Sequence, residues 1–141
     1  MTDSNTSIVR AFLAAAAAGD RLAMARLAAP DLVVIEAESL PYAGRHVGLD
    51  AFLALVARVF GAWLDTRVAV ERFIAEGDHV VVVATLHGRS RHDNAALEMP
   101  IAEIWRVEGG TIREIRPFYF DTHRMLGLMG PQDTDGQGQR A

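Results

Sequence analysis

Along this chain the apolar positions recur first at helical spacing and later in alternation. Ile8, Val9, Phe12, Leu13 and Ala16 repeat at intervals of three and four among alanines, which predicts an amphipathic helix. Ser4, Asn5 or Thr6 can cap its start, and Gly19 suits its end. Asp20 can cap a second helix to about Ala28, with Met24, Leu27 and Ala28 on one face and Pro30 closing it. The β-branched run 32–36 predicts a strand, and the Pro- and Gly-containing stretch 39–48 an irregular loop. A third helix is expected over about 48–63, with Leu49, Phe52, Leu53, Val56, Val59 and Phe60 as its apolar stripe.

After Asp65 the period drops to two. Val68, Val70 and Ile74 alternate with Ala69, Glu71 and Phe73, and residues 76–78 form a hairpin turn. Strands are expected at 79–89, with a Val-rich and nearly fully buried start, at 97–107 and at 111–120. Turns fall at 91–94 and 108–110. Asp121 and Thr122 can cap a short helical turn through Leu126. Helices followed by a run of strands indicate an α+β fold with an antiparallel meander packed on helices. Residues 1–129 read as a single domain, and the polar, Gly-rich segment 130–141 as a disordered tail.

Composition narrows the function classes. The chain has 141 residues, 14 Lys and Arg against 18 Asp and Glu, and a net charge of −4. That balance gives no basic footprint for nucleic acid. Cysteine is absent, which excludes disulfides, thiolate nucleophiles and zinc–thiolate sites. No apolar run approaches the ~20 residues of a membrane span. No basic stretch precedes an apolar one at the start, so a small cytoplasmic protein is expected. Phosphate-binding loops, serine-nucleophile motifs and dinucleotide fingerprints are also missing.

Four segments carry a resemblance to a known family. They are Tyr42-Ala-Gly-Arg-His-Val-Gly-Leu-Asp-Ala-Phe52 leading into the third helix, Glu76-Gly-Asp-His-Val-Val-Val82 at the hairpin, Glu103-Ile-Trp-Arg-Val-Glu-Gly-Gly-Thr-Ile-Arg-Glu-Ile115, and Pro117-Phe-Tyr-Phe-Asp-Thr122. In this order, over about residues 6–128, the chain resembles the nuclear transport factor 2 superfamily, in its SnoaL-like or ketosteroid-isomerase-like branch. The resemblance implies a cone, with three N-terminal helices packed in a strongly curved, mostly antiparallel sheet around a deep apolar pocket. It also implies a homodimer paired through the outer face of the sheet. The superfamily includes isomerases, polyketide cyclases, epoxide hydrolases, dehydratases and members without catalysis.

An apolar pocket raises the pKa of a carboxyl group inside it, which suits proton abstraction beside a carbonyl; ketosteroid isomerase divides the roles of base and neutral acid in this way. Asp121 ends the last strand, where its place resembles that of the acid/base Asp of the cyclases; alternatively it caps the following helix. Glu38 and Glu36 close the first strand, near the place of the isomerases' general base, with Glu38 the nearer match; alternatively they are a solvated pair. Glu103 interrupts an apolar strand, where a carboxylate is costly unless paired or functional, or else that face meets solvent or a partner. His87 offers a base or donor on the long strand, or a surface imidazole. Tyr42, Trp63, Phe118 and Tyr119 can line a pocket or fill the core. His92, Asp93 and His123 lack metal-site spacing, so no metal and no cofactor is expected.

The leading expectation is acid/base chemistry by Asp121 and Glu38 on a small apolar carbonyl compound or epoxide. Tyr42, Trp63, His87, Glu103, Phe118 and Tyr119 would contact the substrate. The alternative is a non-catalytic ligand-binding or dimeric accessory protein of the same fold.

Overall fold

The computed structural model describes residues 2–131. In chain order it forms α1 (Thr2–Ala18), α2 (Arg21–Leu27), β1 (Ala28–Glu36), β2 (Gly44–Val47), α3 (Leu49–Gly61), β3 (Trp63–Glu76), β4 (His79–Ser90), β5 (Ala96–Glu108), β6 (Thr111–Tyr119) and α4 (Thr122–Met129). The fold is α+β, as the periodicity predicts. Six strands make one open, mixed sheet in the order β2-β1-β6-β5-β4-β3. The meander β3 to β6 is antiparallel throughout, while β1 joins β6 in parallel and β2 in antiparallel.

Three boundaries differ from those the sequence predicts, each for a local reason. Pro30 lies within β1 rather than ending a helix, and the β1–β6 ladder breaks between Ala28 and Val33, where a residue without an N–H can be tolerated. The expected irregular loop contains β2, whose four residues pair with residues 33–36. Trp63 begins β3 rather than ending α3; the Thr66 hydroxyl donates to the carbonyl of Phe60, taking up one of the acceptors that a helix end leaves open. Of the expected tail, only Gly130 and Pro131 fall among the described residues.

Strand alternation divides the sheet into two faces. Val80, Val82, Ala84 and Leu86 of β4 are buried inward, with Ile101 and Trp105 of β5 and Ile115 of β6. Val81, Val83 and Thr85 point outward and are only half-covered, so the start of β4 is buried on one face, not nearly fully as expected from its valines. The helices close the inner face. Phe12 of α1 meets Trp105 edge-on at 5.8 Å and Phe52 of α3 at 5.3 Å, joining both long helices to the sheet through one aromatic contact. Gly88 allows β4 to pass against Trp63: a Cβ there would lie 2.9 Å from the Trp63 Cβ. Breaks in ladder register at residues 64–67, 70–72 and 106–107 mark bulges, the device by which strands bend around a core.

Candidate functional site

Register determines which polar side chains enter the cone. Glu103 pairs with Val82 and Pro117, and Tyr119 with Ile101, all on the inner face. On β1, Val34 pairs with the inward Ile115, so Glu36, two residues further on, takes the same face. Between this face and helices α1 and α3 lies a cavity of about 990 Å³. Glu36, Glu103, Trp105 and Tyr119 line it, within walls that include Leu13, Val34, Phe52, Leu55, Leu86 and Ile101.

The polar groups form two donor–carboxyl units. The Tyr119 hydroxyl donates to both oxygens of Glu36, at 3.0 and 3.2 Å. The Trp105 indole N–H donates to Glu103 Oε1 at 3.0 Å. Glu36 is 5% exposed, and burial pushes its carboxyl from 4.5 up to about 7. The Tyr119 hydrogen bond opposes that rise and the nearby Glu103 adds to it. Burial also raises Glu103, again against the pull of its indole donor. The Tyr119 phenol is pushed far above its ordinary value by burial and by Glu36, so it remains a donor at any physiological pH. Behind it, buried Tyr42 is pushed up to about 12 by burial; its hydroxyl approaches Tyr119 without completing a hydrogen bond.

The two residues expected as an acid/base pair do not meet. Asp121 is exposed beyond the end of β6 and accepts from the Arg124 N–H at 3.1 Å as the N-cap of α4. Glu38 is exposed in the turn after β1, outside the cavity. The strand ends at Glu36, and with it the alternation that would have aimed a later carboxylate inward. Glu103 and Tyr119 line the cavity; Tyr42 stands behind its wall. Trp63 is buried in the core away from the cavity. His87 lies on the outer face, 3.9 Å from Glu98, and Phe118 is half-exposed on the same face. Trp105 was not foreseen as a polar partner, although its place two residues after Glu103 on one strand puts both on one face. Among the described residues no three His, Asp or Glu side chains converge in a way that could hold a metal ion.

A carboxyl group with a pKa of about 7 exists in both forms near neutrality, so it can take a proton and give it back. A second carboxyl, whose neutral form burial favours, can in that form donate to an oxygen on which charge develops. Apolar walls keep such exchanges away from bulk water.

Residues 9–115 match the family model described as SnoaL-like domain. Among solved structures, the chain is similar to an NTF2-like protein from Burkholderia xenovorans LB400, with 26% identity, 92% of this chain and 98% of that one covered, and a TM-score of 0.79. It is similar to an NTF2-like protein from Burkholderia thailandensis E264, with 28% identity, 90% and 98% covered, and a TM-score of 0.78. A protein with a ketosteroid isomerase-like fold from Catenulispora acidiphila DSM 44928, solved with trimethylamine, shares the fold at 22% identity, 79% and 84% coverage and a TM-score of 0.65. No curated protein matches the chain.

Proposed function

The chain belongs to the SnoaL-like domain family, and from that premise we propose that it is an enzyme using its own carboxyl groups for acid/base chemistry on a small apolar carbonyl compound or epoxide. The observation that carries this reading is the pair Glu36 and Glu103, two buried carboxyl groups lining one apolar cavity, each with its own aromatic donor. In its ionised form Glu36 removes a proton from the carbon beside a carbonyl. Protonated Glu103 hydrogen-bonds the oxygen as it gains charge, and Tyr119 keeps Glu36 oriented. Returning the proton at a different carbon gives isomerisation; attack of the enolate on a second carbonyl gives cyclisation. With an epoxide, the acid protonates the ring oxygen while the base activates water.

The test follows deuterium exchange into 1-indanone and hydrolysis of styrene oxide. Glu36→Gln should lower whichever rate the protein accelerates by roughly 10²–10⁴, the usual worth of a general base. An unchanged rate in Glu36→Gln, or no acceleration of either reaction, overturns the reading and favours the non-catalytic binding protein.

We also propose that a second copy of the chain covers the outer face of the sheet. Ile74, Phe118 and Phe120 are 53%, 50% and 83% exposed there, beside Val81, Val83 and Ile104, forming a larger apolar patch than isolated surface residues would make. Phe118→Asp should convert a dimer to a monomer in sedimentation at micromolar concentration. A wild-type protein that sediments as a monomer overturns this.

A further inference from the structure

The cavity's charge is unevenly placed. Its enclosed part holds Glu36 and Glu103, while exposed Arg10 lines its open side with Phe60, Val68 and Val70; Arg67 and Arg72, which border the same opening, pair with the outer-face residues His87 and Val83 and so direct their side chains to the outer face. On α1, Arg10 shares a face with Leu13, Ala14 and Ala17, all of which line the cavity, so its side chain leaves the helix on the cavity side. The Arg10 guanidinium lies over the Phe73 ring, 4.2 Å from its centroid, which holds the charge in place without neutralising it. The Arg10 guanidinium has no carboxylate within ion-pair distance among the described residues. The remaining acid of the lining, Glu71, accepts from the Thr85 hydroxyl at 2.7 Å.

We infer that the substrate is an amphipathic anion: an apolar body that fills the cavity and a carboxylate or comparable anionic group held at its open side by Arg10. This rests on the small-molecule reading of the cavity and adds to it a direction of entry. The charged group stays at Arg10, and the apolar end bearing the reactive carbon goes inward to Glu36. A neutral apolar molecule would gain nothing from Arg10, and a cationic one would be repelled at the entrance. The arginine side chain suits the task, since its planar fork meets a carboxylate with two parallel hydrogen bonds.

The experiment compares 2-naphthylacetate with its neutral amide by calorimetry at pH 6. The wild-type protein should bind the acid roughly five- to tenfold more tightly, the range for a partly exposed charge pair. Arg10→Gln should bring the two affinities within about twofold, chiefly by weakening the acid, and 0.5 M salt should narrow the wild-type gap. Arg26→Gln, on exposed α2 and away from the cavity, should leave the preference intact. Equal affinity of the wild-type protein for acid and amide overturns the anionic assignment and leaves the cavity reading standing. Equal loss for both probes in Arg10→Gln overturns it too. If neither probe binds, the cavity reading falls and takes this inference with it.

Discussion

Glu36→Gln should uncouple stability from pH. In the folded protein the Glu36 carboxyl is pushed up to about 7 from an ordinary 4.5, mainly by burial. Between those values the folded chain keeps a proton that the unfolded chain has lost. Folding therefore binds a proton, and stability falls as pH rises. The favourable contribution is fully present below about 4.5 and is lost as pH climbs through about 7. The shift corresponds to about 3 kcal/mol once Glu36 is fully ionised. A chain of this size unfolds with an entropy near 0.3 kcal/mol per kelvin, so that energy amounts to about 10 °C in Tm. Glutamine has nearly the shape of the protonated acid, accepts from Tyr119, and does not titrate. Thermal melts of both proteins from pH 5 to 8.5 should therefore nearly coincide at the acid end and diverge by up to about 10 °C at the alkaline end, the variant being the more stable. Glu103 titrates with the same sign in both proteins and largely cancels in the comparison. Parallel curves over the whole range would refute the claim that Glu36 is buried at a free-energy cost.

Two further outcomes separate structural from chemical roles. Asp121→Ala removes the acceptor for the Arg124 N–H and should cost about 1 kcal/mol in urea unfolding while leaving the exchange or hydrolysis rate within twofold; a hundredfold loss of rate would restore Asp121 to the chemistry. Gly88→Ala places a Cβ 2.9 Å from the Trp63 Cβ and 3.3 Å from the Leu64 carbonyl, so the urea midpoint should fall by an amount equivalent to about 1–3 kcal/mol, and an unchanged midpoint refutes the tight packing.

The meander and the helices were legible because their burial is one-sided. A period of 3.6 or 2 records a single face against a single core, and the stretches 49–61 and 79–90 each show one. What escaped was set by contacts distant in sequence. The four residues of β2 are too few to establish a period and owe their conformation to pairing with β1. The choice between Glu36 and Glu38 rested on where β1 ends. Both share one parity, and only the strand's termination at Glu36 leaves the other in a solvated turn. Glu103 was legible as a carboxylate in an apolar strand, but its direction depended on the pairing with Val82. Arg10 gave no sign, since a lone arginine on an alanine-rich helix looks solvent-facing until the neighbouring Phe73 is known.

The bond between Tyr119 and Glu36 spans 83 residues of sequence. It joins the first strand of the sheet to the last, across the one parallel pairing among the described residues. Parallel pairing cannot grow outward from a hairpin, so β1 must find β6 as a separate event of loop closure. The raised Glu36 carboxyl is thus created at the moment β1 docks on β6. Before it, Glu36 is an ordinary hydrated carboxylate, and the meander alone, however well formed, does not bury it. Recovery of the pH-dependent stability during refolding would therefore time the docking of β1, reporting topological completion rather than the appearance of secondary structure.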